Sequence, residues 1–253
     1  MLLKRIFKWV YNLYAISLFV VLMLLVFPFV LAVVPLGRIR GGNLILRLCR
    51  HWADIWYSLV GINQELIFEA PIEANKAYIF VGNHISYFDA AIIVKALRLN
   101  FRALGRAESA SVPIFGYIYR NAIVTVDRSS SENRAASVRL LKAYIKKGIS
   151  VVVFPEGTFN MSNNALARFY DGAFKVAIET QTNIKPMLIL DAYDRMHYSS
   201  VVSLTPGRCR VVFLDEISVE GYTMDRLEEL KDKVYTLMEK KLHEYNAPWI
   251  QKA

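Results

Sequence analysis

The sequence predicts an α/β fold, a mixed sheet flanked by helices, preceded by an N-terminal helical membrane-anchoring module. Three observations carry this. Two short runs of β-branched and aromatic residues, 77–81 and 151–154, have the continuous apolar character of strands buried on both faces, and each stops in a polar turn. Between such runs lie segments with apolar residues at helical spacing, such as 90–99 and 134–147, the alternation from which α/β sheets are built. Residues 9–37 carry no charge, and their apolar heart from 15 to 36 would be about 33 Å long as a helix, enough for a hydrocarbon core of about 30 Å. These divide the chain into membrane-associated helices over 1–60 and an α/β domain over 61–253.

Composition narrows the partners. Hydrophobic residues make up 55% of the chain and mean hydropathy is +0.28, high for a freely soluble protein and in keeping with a membrane. A net charge of +9 suits dense phosphates, whether of nucleic acid or of an anionic lipid surface. No zinc-ligand spacing, RNA-binding aromatic motif or helix-turn-helix pattern accompanies the charge, so membrane lipids are the expected partner and nucleic acid is not. Cys49 and Cys209 form neither a disulfide framework nor a metal pattern, which fits a reducing compartment and two packing thiols.

In chain order, Lys4, Arg5 and Lys8 precede the apolar run and Arg38, Arg40, Arg47 and Arg50 follow it. With cations at both ends the positive-inside rule gives no direction for a single span. A hairpin bent near Pro28, re-entering so that both ends stay on the cytoplasmic face of the cell membrane, satisfies both flanks. Residues 43–57 alternate apolar and charged side chains at helical spacing, an amphipathic helix lying on the bilayer or on the α/β domain. Strands are then expected over 66–70, 77–81, 101–104, 122–126, 151–154, 185–190 and 208–214. Helices are expected over 90–99, 112–119, 134–147, 169–180 and 225–243, the last with Leu230, Val234, Leu237 and Leu242 on one face.

The chemistry-bearing residues fall where strands end. His84 follows the run 77–81 after the breakers Gly82 and Asn83, at the carboxyl edge where open α/β sheets place their sites. Ser86 and Asp89 have capping-box spacing for the next helix, which puts Asp89 in its first turn. A turn between them can fold the carboxylate onto the ring, fixing its tautomer and leaving the other nitrogen to take a proton from an alcohol. The second run ends in Pro155, Glu156, Gly157 and Thr158. In a parallel sheet that turn opens on the edge that carries His84. Each segment also has a purely structural reading, a strand-end histidine with a helix cap and an ordinary strand-ending turn.

Together, Asn83-His84-x4-Asp89 and Phe154-Pro-Glu-Gly-Thr158 resemble the signature of the glycerolipid acyltransferases, the lysophosphatidate acyltransferase family, over residues 75–190. Weaker agreement comes from Arg106 to Arg128 and from Ile184-Lys-Pro186. The resemblance implies transfer of a fatty acyl group from an acyl-CoA or acyl carrier protein thioester to a lysophospholipid hydroxyl, most often of 1-acyl-glycerol-3-phosphate, giving phosphatidate. It assigns His84 as general base, Asp89 as its support, Arg128 to the acceptor phosphate, and the turn at Glu156, Gly157 and Thr158 to substrate and oxyanion. It implies neither a bound cofactor nor a metal, although His84, Asp89 and Glu156 have the makings of a facial triad. The chain departs from the family pattern at Phe159 and Asn160, where arginine and serine are common; Arg168 and Lys175 are the nearest replacements for the lost cation. That departure keeps open a different acceptor, such as a lyso-aminolipid. A hydrolase, weakened by the lack of a Gly-x-Ser-x-Gly elbow, and a non-enzymatic lipid-binding protein are the remaining alternatives.

Overall fold

The computed structural model describes residues 2–126 and 130–250. Two long helices, α1 (Leu2–Val33) and α2 (Gly37–Leu59), precede a domain in which β1 (Ile62–Phe68), β2 (Ile79–Gly82), β3 (Phe101–Arg106), β4 (Val124–Val126), β5 (Ser150–Val153), β6 (Ile184–Ile189) and β7 (Gly207–Phe213) alternate with helices. These are α3 (Asp89–Ala96), α4 (Phe115–Ala122), α5 (Ser131–Ile145), α6 (Gly172–Thr180), the short α7 (Ala192–Arg195) and α8 (Leu227–Glu244). The strands form one sheet in the order β1-β7-β6-β2-β5-β3-β4. Pairing is parallel from β6 to β4 and between β1 and β7, and antiparallel only where β6 meets β7. The sheet is therefore mixed, as its sequence predicts. The central strands β2, β5 and β6 are buried along their whole length, which explains their uninterrupted apolar runs.

The N-terminal helices depart from expectation in one respect. The sequence places the bend near Pro28, but Pro28 lies inside α1 and the chain turns at Val34–Leu36. A lone proline removes one backbone donor, which a long apolar helix tolerates; Pro35 followed by Gly37 ends the helix because no regular turn survives both. The returning limb is α2. Trp56 Nε1 donates to Ala15 O at 3.0 Å, Tyr11 Oη donates to Val60 O at 2.7 Å, and Phe19 packs edge-on against Trp52 and Trp56. The limbs touch so closely at Gly41 that a β-carbon there would lie 2.5 Å from Val33 O.

Of the two positions expected for the amphipathic helix, the structure shows the one on the α/β domain. Ile45, Leu46, Trp56 and Tyr57 of α2 belong to the same buried core as the sheet. Two enclosed guanidinium groups reinforce the junction: Arg50 donates to the carbonyls of Arg98 and Leu99, and Arg102 of β3 donates to those of Arg38 and Ile39. The opposite side of α1, including Leu13, Val21, Leu25 and Phe29, is exposed. Its apolar stretch is long and hydrophobic enough to cross a membrane by length and composition.

Candidate active site

Parallel pairing of β2 with β5 brings the two strand-end turns to one edge of the sheet. Asn83, wholly buried, clamps the end of β2 to β6: its side chain donates to Ile189 O at 3.0 Å and accepts from Ile189 N at 2.7 Å. His84 is therefore presented from a fixed backbone. Its Nδ1 lies 2.7 Å from Asp89 Oδ2. An ionised carboxylate only accepts, so Nδ1 is the donor and the lone pair of the neutral ring resides on Nε2. The same Oδ2 accepts the amides of Ile85 at 2.8 Å and Ser86 at 3.0 Å, while Ser86 Oγ accepts from Phe88 N at 3.0 Å. Thus the turn that leads into α3 and the imidazole share one carboxylate, and the expected capping box is replaced by a turn before the helix, whose N-cap is Phe88. Asp89 has no exposed surface, and its Oδ1 has no hydrogen bond among the described residues.

The second turn grips the first through its backbone. Glu156 Oε1 accepts His84 N at 2.7 Å, Glu156 Oε2 accepts Ala167 N at 2.7 Å, and Asn160 N donates to His84 O at 2.7 Å. The sequence predicts Glu156 as a substrate contact; the structure encloses it, with 2% of its surface exposed and both oxygens bonded to amides. Burial pushes its carboxyl up to about 8, against the opposing pull of the two amide bonds. Gly157 has φ +71°, the left-handed region that favours glycine, and its amide donates to Phe154 O at 3.1 Å to close the turn. Thr158 is exposed at the end of that turn.

The imidazole is held between aromatic rings. Phe154 stacks on it with centroids 4.4 Å apart and an interplanar angle of 15°. Phe159 meets it at 4.5 Å and 66°, and Tyr87 packs edge-on against Phe159 at 4.7 Å. Only 23% of the His84 side chain is exposed.

The cations expected near the phosphate separate into three cases. Arg128 lies outside the described residues. Arg168 is exposed, immediately after the Ala167 amide that Glu156 holds, so its backbone belongs to the site. Lys175 is ion-paired with Asp171 at 3.5 Å on α6. In the sequence Asn83 stands as a breaker and as part of the motif around His84, and neither it nor Phe154 has an assigned role. A single sequence signals neither the cross-strand clamp nor the ring stack, because both depend on which strands become neighbours.

Comparisons with known proteins bear on the family and the fold. A family model described as Acyltransferase matches residues 65–190, the span that contains both turns. The chain is similar to a 1-acyl-sn-glycerol-3-phosphate acyltransferase of Haemophilus influenzae, 26% identical over 76% of this chain and 80% of that one. It is also similar to the mouse 1-acyl-sn-glycerol-3-phosphate acyltransferase alpha, 28% identical over 79% of this chain and 71% of that one. Among solved structures, the 1-acyl-sn-glycerophosphate acyltransferase PlsC of Thermotoga maritima shares the fold, with a TM-score of 0.79 over 98% of this chain and 100% of that one, at 20% identity.

Proposed function

We propose that this chain, which a model of the Acyltransferase family matches over residues 65–190, transfers a fatty acyl group from an acyl-CoA or acyl carrier protein thioester to the free hydroxyl of 1-acyl-glycerol-3-phosphate, giving phosphatidate. The observation that carries the reading is the 2.7 Å contact between His84 Nδ1 and the buried Asp89 carboxylate, at the sheet edge that also carries the Pro-Glu-Gly-Thr turn. His84 Nε2 takes the proton of the acceptor hydroxyl as its oxygen attacks the thioester carbonyl carbon. Asp89 stabilises the imidazolium so formed. Since the Gly157 amide closes the turn on Phe154 O, the amide or hydroxyl of Thr158 meets the tetrahedral oxyanion. As the C–S bond breaks, the imidazolium returns the proton to the departing thiolate, so no covalent enzyme intermediate is required.

In this reading Arg128 and Arg168 carry the acceptor phosphate, for which a guanidinium fork is well shaped. Residues 1–60 hold the enzyme at the cytoplasmic face of the cell membrane through the exposed side of α1, and 61–253 perform the chemistry. A second acceptor class, a lyso-lipid without phosphate such as a lyso-aminolipid, is favoured by one observation, the uncharged Phe159 against the His84 ring. The test is transfer by purified protein in mixed micelles with each thioester, offered lysophosphatidate, a lyso-aminolipid or no acceptor. Phosphatidate as the main product supports the first reading. Acylation of the aminolipid alone moves the assignment to the second, and free fatty acid in all three arms makes the protein a hydrolase.

A further inference from the structure

The reactive nitrogen of a His-Asp base makes no distinction between a lipid hydroxyl and water, and water is present at about 55 M in the bulk phase. An enzyme that holds an acyl thioester beside such a base needs a device that keeps water off it. His84 is surrounded by apolar surface to an extent the base chemistry alone does not require. Phe154 covers one face of the ring, Phe159 lies edge-on at 4.5 Å, and Tyr87, itself exposed, packs on the outer side of Phe159. Phe154 precedes the turn and is partly buried by the fold. Phe159 follows the turn, and the backbone beyond it is fastened: Asn160 N bonds to His84 O, and the buried Asn160 side chain binds Ser162 and the Asn164 carbonyl. The loop is thus anchored one residue away from Phe159, with its ring directed at the imidazole rather than at solvent.

We propose that Phe159 is a positioning residue that excludes water from His84 and so directs the thioester acyl group to a lipid hydroxyl instead of to hydrolysis. The inference rests on the acyltransferase reading above and deepens it. In the competing reaction water attacks the thioester carbonyl, His84 takes its proton, the C–S bond breaks, and the proton passes to the thiolate, leaving a fatty acid and a thiol. Both reactions use the same base, so removing the cover alters their ratio rather than abolishing either. An aromatic ring at this position accepts the apolar glycerolipid next to the hydroxyl while offering water no hydrogen-bond partner.

The test compares wild type with Phe159→Ala, Phe159→Leu and Phe159→Gln in mixed micelles containing a radiolabelled acyl thioester and lysophosphatidate, counting labelled phospholipid and labelled fatty acid separately. Wild type must make phospholipid; if it makes none with any acceptor, the acyltransferase reading itself fails, a result distinct from those that follow. Phe159→Ala and Phe159→Gln are expected to raise the ratio of fatty acid to phospholipid at least fivefold. Phe159→Leu, which keeps apolar cover, is expected to stay within twofold of wild type. A merely structural phenylalanine would lower both products together, and an unchanged ratio in both Phe159→Ala and Phe159→Gln overturns the proposal. If Phe159→Ala fails to fold, Phe159→Gln carries the same reading, since its longer polar side chain fills volume without excluding water.

Discussion

Glu156 holds His84 by the backbone and not by the ring: its Oε1 accepts the His84 amide at 2.7 Å, while its Oε2 binds Ala167 eleven residues further along the chain. The carboxyl of the second turn is therefore a strut between the two loops that form the site. Because burial raises its folded pKa from the ordinary 4.5 to about 8, the native state keeps this proton over a range in which the unfolded chain has lost it. The stability it contributes is complete below about pH 4.5 and declines as pH rises towards 8. Glu156→Gln, which does not titrate, should be less stable than wild type at pH 5, because one amide then faces an NH2 group. That deficit should shrink by pH 8. Thermal unfolding across this range checks it, and a deficit that grows with pH would show that Glu156 is buried as a carboxylate.

At Gly41 two effects oppose each other. Alanine in a helix gains up to about 1 kcal/mol over glycine. A β-carbon 2.5 Å from the Val33 carbonyl cannot be relieved by a side-chain rotation, and overpacking of this kind costs about 1–3 kcal/mol. The clash should win. Gly41→Ala is expected to lower the thermal midpoint of the detergent-solubilised protein, and an unchanged or raised midpoint would mean the α1–α2 hairpin is more open than described.

For the acceptor phosphate, a charge-assisted contact contributes about 1.5–3 kcal/mol, so Arg128→Ala should raise the KM for lysophosphatidate by about tenfold to a hundredfold. Arg168→Ala should act in the same direction. Lys175→Ala should change it little, because that ammonium already faces Asp171. Steady-state kinetics with a phosphate acceptor and with an uncharged one separate the cases. Equal losses on both acceptors would give Arg128 a structural role instead.

The central strands were legible because each is a short run with β-branched or aromatic residues between breakers, and burial on both faces is written directly into such runs; β1, expected over 66–70, instead runs Ile62–Phe68 and is only partly buried, so no continuous apolar run marks its start. Asp89 could be placed near His84 because the Ser86-to-Asp89 spacing defines a turn between them that leads into α3, although Ser86 does not cap that helix. The bend of the hairpin was not legible from Pro28, since one proline does not end an apolar helix, whereas Pro35 with Gly37 does. The inward position of Glu156 depends on residues 159–167 folding back over His84. That contact joins chain segments more than seventy residues apart, and local patterning carries no trace of it. For the same reason Phe154 had no assigned role and Phe159 marked only the loss of an expected cation, although both rings pack on His84.

The account stands on His84 as the base and Asp89 as its support, and single-turnover transfer from thioester to lysophosphatidate by purified wild type, His84→Ala and Asp89→Asn tests it most directly. A positioned general base contributes about 10²–10⁴-fold. His84→Ala should lose at least a hundredfold in the chemical step with thermal stability near that of wild type. Asp89→Asn, which keeps the shape but removes the charge that stabilises the imidazolium, should also lose much of the rate. Transfer by folded His84→Ala within tenfold of wild type would contradict the assignment of His84 as the base.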